Sequence, residues 1–406
     1  MTADTPVEAS SARWSPALAS VRADALDCLQ ANLAVLADDA HGAGAHLALG
    51  APAGFATTRT PSGLPTPAAG PERRLAEAEE LLGLRTTARW DGVDGPRLRE
   101  LLRDNAVLYV IGDAYTMPWV PYAGHDHMEH SFLLTADDHG DAGDAGDGTV
   151  LVIDAYHNDT PWGSARPGVW QLPAADLDAV LATKGTALAL EATAPPQLDA
   201  AAVLTANATA MSAAGPRIDA YVTAMREAVG DPDALDALVL DVWVLGRART
   251  LHAAWLGTVP GVSADAAEAR AQAWRRYAAH TYVAARRARR GGAVPASVID
   301  QLDRLLRDDV ETARRPAVPQ APSDPRAVVV EELTAVLGAD VAGLPSGAPL
   351  RDLPQFNSFR LVDVIERVES RLGTTIDPEA LREDSFDTVD TLCRLFSATP
   401  AVEEAS

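Results

Sequence analysis

The stretch HSFLLTADDHGDAGDAGDGTVLVIDAY (130–156) decides the fold class. Its two apolar runs, HSFLLTAD (130–137) and TVLVIDAY (149–156), are of strand length, and the Gly- and Asp-rich segment between them carries turn chemistry. The pair reads as a β-hairpin with a loose acidic loop. The Asp spacing is that of a calcium loop without the Glu that closes one, so a solvated turn is expected. A third apolar run, AVLYVIGD (106–113), precedes the hairpin. Upstream, residues 21–40 read as an amphipathic helix with Leu26, Leu29, Leu33 and Leu36 at helical spacing, capped by Asp24 or Ser20. Residues 50–72 read as a long loop, and 73–83 and 95–104 as short helices. From about 197 to 314 the pattern is helical, clearest in VLDVWVLGRARTLHAAWL and AQAWRRYAAHTYVAARRAR. The class is therefore α+β with a helical subdomain.

Composition narrows the partners. The formal net charge is −23, and Lys184 is the only lysine. Such a charge disfavours nucleic acid and anionic membrane surfaces. No apolar run approaches the roughly 20 residues that span a bilayer. The start, MTADTPVEASSARW, has neither the basic nor the apolar region of a signal peptide, so a cytoplasmic location is expected. The two cysteines, Cys28 and Cys393, fall in segments assigned to different domains, which argues against a structural disulfide. Cys393, near Leu392 and Leu395, reads as a small buried hydrophobe.

The candidate chemistry starts at Cys28, in ALDCLQANLAVL near the start of the predicted helix. A helix N-terminus favours thiolate; an inert cysteine on an apolar face is the competing interpretation. A nucleophilic thiol needs a base, and the base needs an orienting group. His130 opens one strand of the hairpin and Asp154 closes the other, giving the Cys, His, Asp order of papain-like enzymes. His127 and His157 compete with His130, and Asp159 competes with Asp154. The papain-like oxyanion glutamine would fall at Arg22, so that role has no side chain assigned; the Cys28 backbone N–H is one donor. His125, His127 and His130, with Glu129 or Asp126, also have a zinc reading, although alternating faces oppose it. His252 and His280 read as satisfied helix histidines. The run RRARR (286–290) reads as a solvated helix end, or a dock for an acidic partner.

DCLQANLAVL, EHSFLL, VIDAYHNDTPWG and GRARTLHAAWL together resemble the butirosin biosynthesis protein H family over roughly residues 20–310. Members of that family look like cysteine proteases and act as acyltransferases, moving an acyl group from a carrier thioester to an amine. The resemblance implies Cys28 as nucleophile, His130 as general base and acid, and Asp154 as orienter.

PAVPQAPSDP (316–325) reads as a Pro-rich tether. Beyond it, RAVVVEELTAVLG, NSFRLVDVIERVESRLG and TVDTLCRLF read as helices of a compact four-helix-like unit. The second has Leu361, Val364, Ile365, Val368 and Leu372 on one face and Arg360, Asp363, Glu366 and Arg367 on the other. QFNSFRLVDVIERVESRLGTTID resembles helix II of acyl and peptidyl carrier proteins. That family has Asp-Ser-Leu where this chain has Asn357-Ser358-Phe359. The resemblance implies a 4′-phosphopantetheine arm on Ser358; serine is also a favoured N-cap, which is the competing interpretation.

The expected organisation is a papain-like core (1–195), a helical subdomain (196–315), a linker (316–326) and a carrier domain (327–400). The implied function is carrier-dependent amide formation in natural-product, nonribosomal peptide or polyketide biosynthesis. A thioesterase and an inactive scaffold presenting the carrier are the alternatives. The implied partners are a phosphopantetheinyl transferase, an acyl- or aminoacyl-loading enzyme, a small-molecule amine acceptor and a second carrier protein. The fused carrier could hold either donor or acceptor.

Overall fold

Antiparallel pairing organises the first half of the chain. Six strands, β1 (Leu84–Val93), β2 (Leu108–Asp113), β3 (Glu129–Ala136), β4 (Thr149–Asp154), β5 (Gly168–Pro173) and β6 (Gly185–Ala192), form one sheet in the order β1-β6-β2-β3-β4-β5. Every neighbouring pair is antiparallel. The three strands anticipated from apolar runs are β2, β3 and β4, the centre and one side of this sheet. The periodicity assigned none of the others. β1 is an edge strand whose residues are mostly solvent-facing, so it carries no apolar alternation. β6 is Ala- and Leu-rich, with Thr186 its one β-branched residue, so it carries little of the composition that marks strands.

The computed structural model describes residues 12–136, 149–315, 325–338, 348–353, 356–372, 376 and 383–397. The acidic loop 137–148 and all of the Pro-rich segment but Pro325 lie outside the described residues. The chain divides into two compact units, Met1–Thr258 with Ala264–Pro316, and Val259–Ser263 with Ala317–Ser406. The architecture is α+β.

The helix expected over 21–40 is shorter. Residues Ala23–Ala25 form a 3-10 turn, Leu26 is extended, and the regular helix α1 runs Gln30–His41. The cap is Asp27, not Asp24 or Ser20. Asp27 Oδ1 accepts from the N–H groups of Leu29 (3.0 Å) and Gln30 (2.8 Å), and Ala31 N–H reaches Asp27 O at 3.0 Å. Gln30 Oε1 returns to Asp27 N–H at 3.4 Å, completing a capping box. From Gln30 to Asp38 every residue of α1 is buried. It is a core helix rather than an amphipathic surface one, packed against β1, β3, β4 and β6.

Register places the hairpin's chemistry. Leu134 pairs with Val152, so even-numbered residues of β3 and β4 share a face, and His130 and Asp154 project from the same side. The loop expected over 50–72 contains a small hairpin, Thr57–Arg59 with Pro65–Pro67. Five helices follow the sheet: α2 (Ala200–Ser212), α3 (Gly215–Ala228), α4 (Pro232–Leu256), α5 (Asp265–Ala288) and α6 (Ser297–Arg314). They bury their own core around Tyr221, Trp274, Tyr277 and Leu302. α4 also seats against the sheet half. A Cβ on Gly50 would meet Leu251 O at 2.4 Å, so only glycine permits that approach, and His252 Nδ1 bonds Gly50 O at 2.7 Å.

The second unit is helical. α7 (Pro325–Leu337), α8 (Ser358–Leu372) and α9 (Val389–Ser397) surround a core that includes Val329, Leu333, Leu361, Val364, Val368, Leu392 and Cys393. Among the described residues it also has two 3-10 turns, Leu350–Asp352 and Glu383–Phe386, and no fourth α-helix. The apolar face read from α8 is the buried one. Leu361, Val364 and Val368 are buried, Ile365 and Leu372 pack against them, and Asp363, Glu366 and Arg367 are exposed. Among the described residues no helix is long and apolar enough to cross a membrane.

Candidate active site

The Asp27 capping box fixes the backbone around Cys28. With Asp27 as cap, Cys28 occupies the first position of the helical turn, just ahead of the regular helix rather than within it. The cap satisfies the N–H groups of Leu29 and Gln30, and the Cys28 N–H makes no hydrogen bond to another described residue. It is the open donor of the helix head. Asp27 Oδ2 is held in turn by Arg74, whose Nε lies 2.8 Å away and Nη2 2.6 Å away, and Arg74 Nη1 also binds Glu77 at 2.7 Å. Tyr109 OH donates to Leu29 O at 2.9 Å and Ser131 Oγ to Cys28 O at 2.6 Å. The Cys28 backbone is thus tied to β2 and β3.

Cys28 is 8 % exposed, and Sγ lies 3.4 Å from Glu129 O, the carbonyl preceding His130. Burial pushes the Cys28 thiol well above its ordinary pKa, and the Asp27 and Asp154 carboxylates add to that effect. Its own backbone N–H and the charge of Arg247 oppose it. At rest the group is therefore a neutral thiol, and the helix head alone does not make it a thiolate.

His130 is fully buried, and its Nε2 is 2.7 Å from Asp154 Oδ2. Because that carboxylate accepts, Nε2 carries the proton and Nδ1 presents a lone pair. Nδ1 is buried without a hydrogen-bond partner among the described residues. Asp154 is 2 % exposed and both its oxygens are saturated. Oδ2 also accepts from Trp119 Nε1 (3.0 Å), and Oδ1 accepts from Tyr156 N–H (2.9 Å) and Asn32 Nδ2 (3.2 Å). Burial would raise its pKa, but the neighbouring His130 ring and these donors hold it below the ordinary carboxylate range. It anchors the His130 ring through that contact.

Three histidine–carboxylate pairs occur among the described residues, and their second nitrogens distinguish them. His46 Nδ1 lies 2.9 Å from Asp38, and its Nε2 accepts from Arg22 N–H at 3.0 Å, so the buried ring is fully used. His127 Nδ1 lies 2.6 Å from Asp113, but the ring is exposed and stacked on Tyr115 at 4.1 Å. Only the His130 ring combines burial, a carboxylate anchor and an unpartnered nitrogen.

The rivals go elsewhere. Asp159 is an exposed partner of Ser164 (2.5 Å) and Arg166 (2.7 Å). His157 offers its backbone carbonyl to Arg247 at 2.5 Å. His125 stacks on Trp162 at 5.3 Å. The zinc set is dispersed: His125 and His127 are exposed while His130 is enclosed, and no group of three or more potential ligands gathers among the described residues. Arg22 binds Asp24 at 3.0 Å through Nε. His252 is satisfied by Gly50 O, with burial holding its pKa down, and His280 by Gln301 at 3.0 Å. In the Arg run, Arg289 pairs with Asp236 and, at 3.7 Å, with Asp233.

Sequence reading missed Asn32, Trp119, Ser131 and Arg247. Asn32 had a signal: it lies one helical turn after Cys28, an amide ahead of the apolar run Leu33–Ala37. It is fully buried and donates to Ser131 O (2.8 Å) and Asp154, while its Oδ1 accepts from Ala155 N–H (2.9 Å). Trp119 had none, because nothing local marks an indole for a carboxylate 35 residues on.

In the second unit, Ser358 is the first residue of α8. It is not the cap. Asn357 Oδ1 accepts from Arg360 N–H at 3.0 Å, and Asn357 O accepts from Leu361 N–H at 3.0 Å, so the preceding residue fills that role. No family model matches the chain, and no curated protein matches it.

Proposed function

We propose that this protein is a cysteine-dependent acyltransferase that takes acyl groups from carrier thioesters to amines, with a papain-like catalytic half and its own carrier unit bearing a phosphopantetheine arm on Ser358. The observation that carries the catalytic part is the His130 ring: anchored through Nε2, buried, and unpartnered at Nδ1. A buried polar atom left unpaired costs about 1–3 kcal/mol, so it needs a reason, and a base poised for a proton supplies one.

The residues support this sequence of events. The Cys28 thiol gives its proton to His130 Nδ1 as Sγ attacks the carbonyl carbon of an acyl thioester. The new C–S bond forms, and the carbonyl electrons move onto oxygen near the Cys28 N–H. Collapse expels the donor thiolate, which takes the proton from His130 and leaves the acyl group on Cys28. An amine then attacks the acyl carbon and loses its proton to His130. Collapse releases the amide, and His130 returns the proton to the Cys28 sulfur. Asp154 holds the ring and balances the imidazolium in both halves.

The carrier assignment rests on the likeness of the α8 segment to carrier helix II, on Asn357 taking the cap in place of Ser358, and on the exposed acids Asp363 and Glu366 on that helix. A phosphopantetheine arm would supply a thiol for carrying acyl groups. The test has two arms. Coenzyme A with a phosphopantetheinyl transferase is expected to add one arm to the wild type and none to Ser358→Ala; equal addition to both overturns the carrier. Octanoyl N-acetylcysteamine with a panel of primary amines is expected to give octanoyl amides with the wild type and none with Cys28→Ala. Free octanoate as the sole product would make the enzyme a thioesterase, and turnover by Cys28→Ala would remove Cys28 from the chemistry.

A further inference from the structure

Arg247 is an unusual cation in this molecule. It lies on α4, partly buried, and no carboxylate pairs with it among the described residues. Its guanidinium donates only to backbone carbonyls: Nη1 to Ala23 O (2.7 Å) and Leu26 O (2.5 Å), and Nη2 to His157 O (2.5 Å). It also stacks over Trp243 at 4.2 Å. Ala23 and Leu26 belong to the turn that delivers Cys28, and His157 lies three residues beyond Asp154. Of the five guanidinium N–H groups, these contacts use three.

The surrounding charges are already matched to other partners. Asp24 pairs with Arg22, Asp27 with Arg74, and Asp154 with His130. Tyr156 and Cys28 also act on the Arg247 charge, alongside Asp27 and Asp24. Tyr156 OH is 3.1 Å from Tyr122 OH, and burial holds both phenols in their neutral form. A positive charge removed from water without a counter-anion is costly. The one group nearby that becomes an anion during the proposed chemistry is Cys28, first as thiolate and then through the oxyanion on its acyl carbon.

We infer that Arg247 is the positioning residue that presents the Cys28 turn and the fixed positive charge that balances the anion formed there. This rests on Cys28 being the nucleophile. It extends the catalytic machinery beyond Cys28, His130 and Asp154 to a residue of the helical subdomain, and it gives α4 a role in the reaction. The exposed Arg22 does not fill this role, because Asp24 already neutralises it.

The test is the alkylation of Cys28 across pH, followed on its own peptide by mass spectrometry, in the wild type, R247K and R247Q. Glutamine keeps hydrogen-bonding capacity and loses the charge; lysine keeps the charge and loses the guanidinium fork. The expected result is about tenfold slower reaction with iodoacetamide at pH 7 in R247Q, the scale on which one neighbouring charge moves a thiol. R247K should restore most of that rate. Equal slowing of both variants would make Arg247 a structural strut and overturn the charge role. A second measurement needs no variant. The ratio of iodoacetate to iodoacetamide rates at Cys28 should be about threefold higher in the folded wild type than in the urea-unfolded chain, because a local cation attracts the anionic reagent. An unchanged or lower ratio overturns the inference while leaving Cys28 as nucleophile. A Cys28 that reacts with neither reagent in the folded protein overturns the nucleophile and this inference together.

Discussion

Cys28 and Ser358 stand in the same relation to two different helix caps. Each follows a residue that caps its helix, Asp27 in one case and Asn357 in the other, so neither is spent on capping. The helices they head differ in every other respect. α1 is buried through most of its length and locked to β3 and β4. α8 buries one face and leaves Asp363, Glu366 and Val362 exposed, the last at 51 %. The difference teaches what each head is suited to. A buried head suits a group that must be held rigidly in a network. A head on a half-exposed helix suits an attachment point that other proteins must reach.

Breaking the first head should have the largest effect. Cys28→Ala is expected to abolish acyl-enzyme formation, read by intact mass, while Ser358→Ala leaves reaction with a free thioester within about twofold, since only the carrier route is lost. Equal losses from the two substitutions would erase the distinction.

Asp154→Asn comes next. It should lower transfer about 10³-fold or more by releasing the His130 tautomer. The same variant has a pH signature. Asp154 is held below its ordinary value, so its contribution to stability is full above the unfolded-state value near 4. That contribution is lost as pH falls through the lower folded-state value. Acid titration of urea stability should therefore fall less steeply below about pH 4 in Asp154→Asn than in the wild type.

The caps separate the two helices by stability. Asp27→Ala removes a cap and also strips buried Arg74 of one carboxylate, for a loss of about 3 kcal/mol in urea unfolding. Asn357→Ala removes a cap alone and should cost about 1 kcal/mol, read as faster amide exchange in α8. Similar costs at the two positions would mean that Asp27 acts only as a cap.

Much of the sheet-bearing half was legible because it is local. β2, β3 and β4 are apolar runs bounded by turn residues, and His130 and Asp154 sit at their ends. The even-to-even register that joins them is a property of the hairpin. The helix start was misplaced because Leu26 and Leu29 keep helical spacing while Asp27, three residues before a glutamine, was not read as a capping box. β1 and β6 were missed because an exposed edge strand and an Ala-rich strand carry no β periodicity. Asn32, Trp119 and Arg247 act across 122, 35 and 221 residues of sequence, at Asp154 for the first two and Leu26 for the third, where periodicity holds no information. The cap on α8 lay in plain sight: the Asn357 that departs from the carrier family's Asp performs the capping itself.

The central claim is that the Cys28 thiol, deprotonated by an Asp154-anchored His130, forms an acyl-enzyme. Peptide mapping after brief exposure of the wild type and His130→Ala to octanoyl N-acetylcysteamine tests it most directly. The account predicts one octanoyl group on the Cys28 peptide of the wild type, discharged by added amine, and little or none in His130→Ala. An octanoyl group confined to Cys393, or equal labelling of Cys28 in both proteins, would contradict it.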